Sequence, residues 1–443
     1  MSVMLRQKIV VLDDDPTGSQ TVHGCQLLTR WHVDALMDAF TDDSPLMFVL
    51  TNTRGMSAVH AADITREVCR HVRTALAQLA ERGLPIQPIM VSRSDSTLRG
   101  HYPVETDVIN EELGPFDAHF LVPAFFEGGR ITHHGTHYLL VKGERVPVHQ
   151  TEFARDSVFG YSHSYLPDYV QEKTSGRIKS SEVKCLSTAD LNAVLGTPLM
   201  MLQNNVCVAV DAETQADLNH FADHVRASAD AGKRWLFRSG ASLLTALSQL
   251  PPQPVAAERM HDYVRAGKPG VVMVGSHVRT TTVQLEQLLA EPTVQGIMID
   301  VERIVEQRDA LLQHTLQAVA SAFVHGKTSV VYTSRTEKTF ADQLTRLAFG
   351  ERVSALLMDV VRGLPEQIGF LISKGGITSN DVLSDGLALV SSRVLGQILA
   401  GCSVVRCPAD HPRYPQLPVV IFPGNVGDEH ALVTVYRRLS EAQ

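Results

Sequence analysis

Three consecutive acids, Asp13-Asp14-Asp15, run into Pro16-Thr17-Gly18-Ser19 directly after the apolar stretch Lys8-Ile9-Val10-Val11-Leu12. Carboxylates gathered there can take a proton, bind a sugar hydroxyl or ligate a hydrated Mg2+. The same residue types also build an ordinary strand-to-helix turn with Asp15 or Thr17 as cap. What separates the two is that the pattern recurs. Arg93-Ser94-Asp95-Ser96-Thr97-Leu98-Arg99-Gly100-His101 offers two guanidinium forks, an acid and three hydroxyls in one short run. That combination suits a small polyhydroxylated anion: Arg pairs with a carboxylate in bidentate fashion, while Ser and Asp bond hydroxyls. Arg54 closes Thr51-Asn52-Thr53, and Arg130 follows Glu127-Gly128-Gly129.

Two further runs are rich in glycine. Ser373-Lys374-Gly375-Gly376-Ile377-Thr378-Ser379-Asn380 follows the apolar Phe370-Leu371-Ile372, and Phe422-Pro423-Gly424-Asn425-Val426-Gly427-Asp428 follows Val419-Val420-Ile421. With Gly275-Ser276, these are places where backbone N–H groups can approach an anion closely, or where the chain simply turns. Three other patterns fail their context. His325-Gly326-Lys327-Thr328 resembles the end of a P-loop, but the first glycine is replaced by Ser321 and the order of helix and strand is reversed. No GxGxxG or GxSxG run occurs, and His133-His134 with His137 lacks a partner in metal-ligand register, which favours structure or substrate contact over a metal.

The elements that must carry these runs alternate. Strands are expected at Lys8–Leu12, Met47–Leu50, Pro88–Val91, Phe120–Val122 and Val206–Val210, each ending in polar residues, and a helix at Ser57–Arg82 from the spacing of Ile64, Val68, Val72, Leu76 and Leu79. Such alternation predicts a parallel, doubly wound sheet whose strand ends bring Asp14, Asp15, Arg54 and Asp95–Arg99 together. The His-, Gly- and charge-rich stretch Val141–Ser181 reads as loop and short helix over the site. Leu250-Pro251-Pro252-Gln253-Pro254 cannot lie inside a helix or a central strand, which sets a boundary between residues 1–250 and 255–443. A second α/β pattern follows, with strands at 270–274, 297–299 and 329–332 and a helix from about Thr281.

Length and composition agree with two or three domains of a globular protein: 443 residues, 44% hydrophobic and 20% charged. A formal charge of −8, from 40 basic and 48 acidic residues, argues against a nucleic-acid partner. No apolar window is long enough for a membrane helix, and Met1–Val10 has no signal-type core. Six cysteines without a CxxC pair point to a reduced, cytoplasmic protein with no structural metal.

Taken in order, these runs resemble the four-carbon acid sugar kinases. The family shows a DDxTG motif, here Asp14–Gly18; a DSTLRG motif, Asp95–Gly100; and a PAxxxxGR segment, Pro123-Ala124 to Gly129-Arg130. Its later loops correspond to Gly275-Ser276, Gly375-Gly376-Ile377-Thr378 and Gly424-Asn425-Val426-Gly427. The resemblance spans nearly the whole chain. It implies an N-terminal acid-sugar domain, a C-terminal nucleotide domain, an active site in the cleft between them, and phosphorylation of threonate, erythronate or 3-oxo-tetronate with ATP and Mg2+. On that basis Asp14, Asp15 and Asp95 are catalytic candidates, with Asp14 and Asp15 open as the proton acceptor. Arg54, Ser94, Asp95, Ser96, Thr97, Arg99 and Arg130, with Asp14, are expected on the sugar acid. Ser276, Lys374, Gly375, Gly376, Ile377, Thr378, Ser379, Gly424 and Asn425 are expected on the nucleotide. The chain departs from the family at Ile377, where many members carry Glu, and at Ile421-Phe422-Pro423, where many carry Lys; Lys374 is then the candidate phosphate-facing cation.

The expected partner is a small sugar acid, with no nucleic acid and no membrane, and a homodimer stays open. Two other classes fit parts of the pattern. A metal-dependent sugar-acid lyase or aldolase would turn over without ATP, and a two-lobed sugar-acid sensor would bind without turnover.

Overall fold

The computed structural model describes residues 6–192, 196–335 and 343–441, so the first five residues of the N-terminal segment lie outside it. The chain divides into two compact units on either side of Pro251-Pro252.

In the first unit, β1 (Arg6–Asp13), β2 (Gln26–Leu28), β3 (Leu46–Leu50), β4 (Ile86–Arg93) and β5 (Ala118–Val122) precede a small antiparallel sheet of β6 (Arg130–His133), β7 (Thr136–Val141) and β8 (Glu144–Pro147). β9 (Lys184–Leu186), β10 (Val206–Val210) and β11 (Trp235–Ser239) complete the main sheet. Its order is β2-β3-β1-β4-β11-β5-β10-β9, and every pairing is parallel. Parallel strands must be covered on both faces, which is why Ile9–Leu12 and Leu46–Leu50 are continuous apolar runs, all buried. The helix Ala58–Glu81 covers one face through Val68, Val72, Ala75 and Leu79, and starts where the Ser57 hydroxyl accepts from the His60 N–H. β11 packs on β5 through the stacked rings of Phe237 and Phe120, 5.1 Å apart.

The stretch expected as loop and short helix over the site is different. It begins with β8 and carries the helix Leu166–Lys173. Val148, Tyr161, Leu166 and Tyr169 are buried against Leu98, Tyr102 and Leu121, so it belongs to the core of this unit and supports the Asp95–Arg99 turn from behind.

The second unit contains β12 (Val271–Val274), β13 (Val294–Ile299), β14 (Thr328–Thr333), β15 (Leu371–Lys374), β16 (Ser391–Leu399), β17 (Cys402–Arg406) and β18 (Pro418–Phe422). Within it the order is β13-β14-β12-β15-β18-β17-β16; the first five strands are parallel, and β17 runs antiparallel to both of its neighbours. The architecture is α/β, with a largely parallel, helix-flanked sheet in each unit. The hairpin of β16 and β17 was not expected from the sequence. The P-loop-like run is a helix end: Gly326, at φ +72°, follows the helix Ile304–Val324, and Thr328 opens β14. Among the described residues, no helix is long and apolar enough to cross a membrane. All six cysteines are free, with Cys185 exposed and the other five buried.

Candidate functional site

The carboxyl ends of β1, β3, β4 and β11 meet in one polar cluster. Asp14 is 1% exposed and is gripped by Arg54, whose Nη2 and Nε lie 2.5 and 3.2 Å from its two carboxylate oxygens. The third nitrogen, Arg54 Nη1, reaches Asp15 Oδ2 at 3.3 Å. Burial alone would lower the Arg54 pKa, but Asp14, Asp15 and Asp95 together raise it well above its ordinary value. For Asp15, burial pushes the pKa upward, and Arg54 with two hydrogen bonds from Thr17 more than reverses it, leaving the carboxylate below its usual range. Asp95 shows the same balance: burial is outweighed by Arg54, Arg99 and the Thr97 hydroxyl, and its pKa falls far below the ordinary value.

Arg99 donates Nε to Asp95 at 2.8 Å, lies over the Phe153 ring at 4.9 Å and places Nη1 3.8 Å from Asp156. Its side chain is 24% exposed and lines the cavity beside Asp95. Arg130 is half-buried over Phe125 and bonds the Gly128 carbonyl. Among the described residues no hydrogen bond joins it to the Asp14–Arg54–Asp95 cluster, and its pKa is lowered by burial against the opposing pull of Asp95.

Ser94 stands at the centre. Its hydroxyl lies 2.8 Å from both Asp14 Oδ2 and the Arg99 carbonyl, and it accepts from Arg238 Nη2 at 2.7 Å. Arg238, on β11, also donates to Ser92 at 2.7 Å and to Glu105 at 2.5 Å. Gly100 has to be glycine: its φ is +119°, and a Cβ there would lie 2.4 Å from Ser94 Oγ and 2.6 Å from Arg238 Nη2. The turn is then held through its own carbonyls. His137 bonds Ser96 O at 2.8 Å, Tyr161 bonds Thr97 O at 2.6 Å and Tyr169 bonds Leu98 O at 2.9 Å. A carbonyl only accepts, so the His137 proton is on Nε2, and Nδ1 accepts from Thr132 at 2.9 Å. Full burial keeps that ring neutral, with its pKa pushed down to about 4. A small cavity of about 20 Å3 lies here, lined by Ser94, Asp95, Arg99, Tyr169, Arg238 and Ser239 with apolar neighbours.

In the second unit the ends of β12, β15 and β18 converge. A Cβ on Gly275 would lie 2.3 Å from Thr378 Oγ1, one on Gly375 3.0 Å from Ser276 Cβ, and one on Gly424 2.9 Å from Ser276 Oγ. Ser276, Gly375, Thr378 and Gly424 therefore form one backbone-lined surface, tied by Thr281, which donates to the Gly424 carbonyl at 2.8 Å. Ile377 is 79% exposed beside it, and Asn425 is exposed as well. Ser379 is buried, bonded to Ser373 at 2.6 Å, and serves the turn that Gly376 opens. Lys374 is fully buried: its ammonium donates to the Pro423 carbonyl at 2.7 Å, sits 3.8 Å from the centre of the Phe422 ring, and has its pKa pulled down to about 7 by burial. Arg335, two residues past the end of β14, is held by Thr282 at 2.7 Å, and its Nη1 has no partner among the described residues. Among the described residues, no group of three or more His, Cys, Asp or Glu could hold a metal ion.

Residues 9–247 match the family model of a sugar-binding N-terminal domain, and residues 271–432 that of a nucleotide-binding C-terminal domain. Over 222 residues the chain is 33% identical to a D-erythronate kinase of Heliobacterium modesticaldum, covering 48% of this chain and 47% of that protein. Over 167 residues it is 29% identical to a D-threonate kinase of Bordetella bronchiseptica, covering 36% and 38%. The chain belongs to the four-carbon acid sugar kinase family. The aligned regions span less than half the length of either curated relative. Two solved structures share the fold of this acid sugar kinase family member: a Salmonella typhimurium LT2 protein (TM-score 0.72, 19% identity, 99% of this chain and 100% of that one) and a DUF1537 protein of Haemophilus influenzae (0.64, 17%, 97% and 100%).

Several site residues of this family member escaped the sequence reading. Arg238 and Ser239 end the apolar run Trp235-Leu236-Phe237 just before Gly240, which is the same strand-end signal that marked Asp14 and Asp95. Glu105, Tyr161 and Tyr169 carry no such signal, because each acts on a partner 64 to 133 positions away in the chain, whereas His137, expected in a structural or substrate-contact role, bonds the Ser96 carbonyl.

Proposed function

We propose that this chain is an ATP-dependent kinase acting in the cytoplasm on a four-carbon acid sugar of the threonate, erythronate or 3-oxo-tetronate type. The names of its relatives support the substrate class. The observation that carries the reading is the small cavity in which a partly exposed Arg99 stands beside Asp95, Ser94 and Arg238, a donor and acceptor set suited to a carboxylate with several hydroxyls. Arg99 binds the substrate carboxylate. Arg54, with all three nitrogens on Asp14 and Asp15, fixes those two acids, and Asp95 accepts from a substrate hydroxyl. Asp15 is the better proton acceptor of the pair, because its side chain is 22% exposed against 2% for Asp14. Its lowered pKa is adequate where the transition state is loose and the proton leaves late.

The turns of Ser276, Gly375, Thr378 and Gly424, which pack on one another because their glycines leave no room for a Cβ against Ser276 and Thr378, support a nucleotide at this edge of a region that matches a nucleotide-binding domain. Lys374 is spent on Pro423, and Arg335, whose Nη1 has no partner among the described residues, is the better candidate cation of the two. Mg2+ carried by the nucleotide phosphates would spread the charge that develops on transfer. Transfer of the terminal phosphoryl group to the hydroxyl releases ADP, and the hydroxyl proton passes to Asp15.

The test is ADP release with Mg-ATP across a panel of tetronates and 3-oxo-tetronates, for the wild type and Asp95→Asn. Turnover on one acid, lost in the variant, is the expected result. Turnover without ATP would establish a lyase, and stabilisation by a tetronate without turnover a sensor; either would overturn the proposal.

A further inference from the structure

Most polar side chains lining the sugar-acid pocket already bond one another, whereas the hydroxyl of Ser239 has no such bond among the described residues. It closes β11, the strand between β4 and β5, in register with Arg93 on one side and Val122 on the other. The residue is 3% exposed, and its Oγ has no hydrogen-bond partner among the described residues, yet it lines the pocket. A buried hydroxyl without a partner is unfavourable, and side chains of this kind are usually satisfied. The backbone leaves Ser239 no room to move. Its carbonyl accepts from the Ser94 N–H at 3.0 Å, and the next residue, Gly240, donates to Val122 O at 2.9 Å. A Cβ on Gly240 would already lie 2.6 Å from the Pro123 and Ala124 carbonyls. The neighbouring hydroxyls are engaged: that of Ser94 with Asp14, Arg99 O and Arg238, and that of Thr97 with Asp95.

We infer that Ser239 is a specificity residue whose hydroxyl hydrogen-bonds one hydroxyl of the bound acid. The inference rests on the kinase reading above for its substrate class. Arg99 supplies the positive charge for the carboxylate, and Asp95 only accepts. Ser239 can both donate to and accept from a substrate hydroxyl, which makes the pocket discriminate against an acid lacking that group.

The experiment compares wild type, Ser239→Ala and Ser239→Cys on the best tetronate and on its 2-deoxy and 3-deoxy analogues. Ser239→Ala should lose about tenfold in kcat/KM on the full tetronate, and less than twofold on one of the deoxy acids, with the KM for ATP unchanged. Ser239→Cys should fall in between. The thermal midpoint of the ligand-free protein should stay level or rise, because an unsatisfied buried group has been removed. A lower midpoint with unchanged sugar-acid kinetics would make Ser239 purely structural, and equal losses on every acid would show that it reads no hydroxyl; either overturns the inference. Failure of the kinase reading looks different. The wild type would be stabilised by tetronates without turning them over, and the same comparison of variants by ligand-induced thermal shift would then decide Ser239. A wild type that neither turns over nor is stabilised by any tetronate overturns both.

Discussion

Arg238 donates to the Ser94 hydroxyl at 2.7 Å, and Ser94 stands 2.8 Å from Asp14, so a buried cation on β11 reaches the acid at the end of β1 through one hydroxyl. The cation is balanced by Glu105, which is 4% exposed. Removing one member of such a pair strands the other charge. Arg238→Met should therefore cost about 3–5 kcal/mol in urea unfolding, and adding Glu105→Gln should recover part of that loss. A single variant within about 0.5 kcal/mol of wild type would remove the pair from any account of this site.

The Asp95–Arg99 turn owes its shape to side chains that grip its carbonyls. Tyr161→Phe and Tyr169→Phe each leave one buried carbonyl without its partner, at a cost of about 1–3 kcal/mol. Because the turn carries Asp95 and Arg99, the KM for the sugar acid should rise severalfold in both variants while the KM for ATP stays level. Equal changes in the two constants would mean that the tyrosines support the fold at large.

Asp14 and Asp15 are adjacent in sequence but differently placed, and their variants should separate. Asp15→Asn should lower kcat by about 100-fold or more with a small change in sugar-acid KM, as expected for a lost proton acceptor. Asp14→Asn unbalances Arg54 and should lower the thermal midpoint as well as the activity. Steady-state kinetics and thermal unfolding of the two proteins side by side decide the assignment, which fails if Asp14→Asn alone loses kcat at wild-type stability.

Much of this arrangement was legible in the sequence, for a physical reason. In a parallel sheet the strand ends share an edge, so Asp14, Arg54 and Asp95 had to meet once Lys8–Leu12, Met47–Leu50 and Pro88–Val91 were recognised as strands. What was lost came from order along that edge. β11 is late in the chain but central in the sheet, and nothing in Trp235–Ser239 says that it inserts between β4 and β5. The partners of the Asp95–Arg99 turn were hidden for a related reason: Tyr161 and Tyr169 lie in a polar stretch whose core-facing residues are too sparse for a clear period. Lys374 is the converse case, a charged residue beside glycines whose inward turn to Pro423 nothing in its sequence neighbours announces.

Asp13 titrates against the fold. Burial raises its pKa to about 8, with Arg93 at 3.7 Å opposing only in part, and neither carboxylate oxygen has a hydrogen-bond partner among the described residues. The unfolded chain gives up this proton near pH 4 and the folded one near pH 8. Between those values the folded state binds the extra proton, so this group makes stability fall as pH rises, with the full penalty present above about pH 8. Asp13→Asn keeps the shape without the titration. Its unfolding midpoint in urea should gain on wild type steadily from pH 5 to pH 8, and a constant difference across that range would show that Asp13 is ionised in the fold.

Arg335 and Lys374 divide two roles that are easily confused. Arg335 lies two residues past the end of β14, next to β12, and therefore on the same sheet edge as Gly275 and Ser276; Thr282 holds two of its nitrogens, while Nη1 has no partner among the described residues. Lys374 is buried, its ammonium given to Pro423, and a pKa near 7 means that much of its charge is lost at neutral pH. If the nucleotide phosphates lie on this edge, Arg335→Ala should raise the KM for ATP about 10–100-fold, the worth of a hydrogen bond to a charged group, and leave the sugar-acid KM in place. Lys374→Met, which keeps the volume but leaves the Pro423 carbonyl unpaired, should lower the thermal midpoint and barely change the KM for ATP. The reverse pattern, with ATP lost in Lys374→Met and kept in Arg335→Ala, would mean that the lysine turns out of the core to meet the phosphates and that the arginine only braces Thr282.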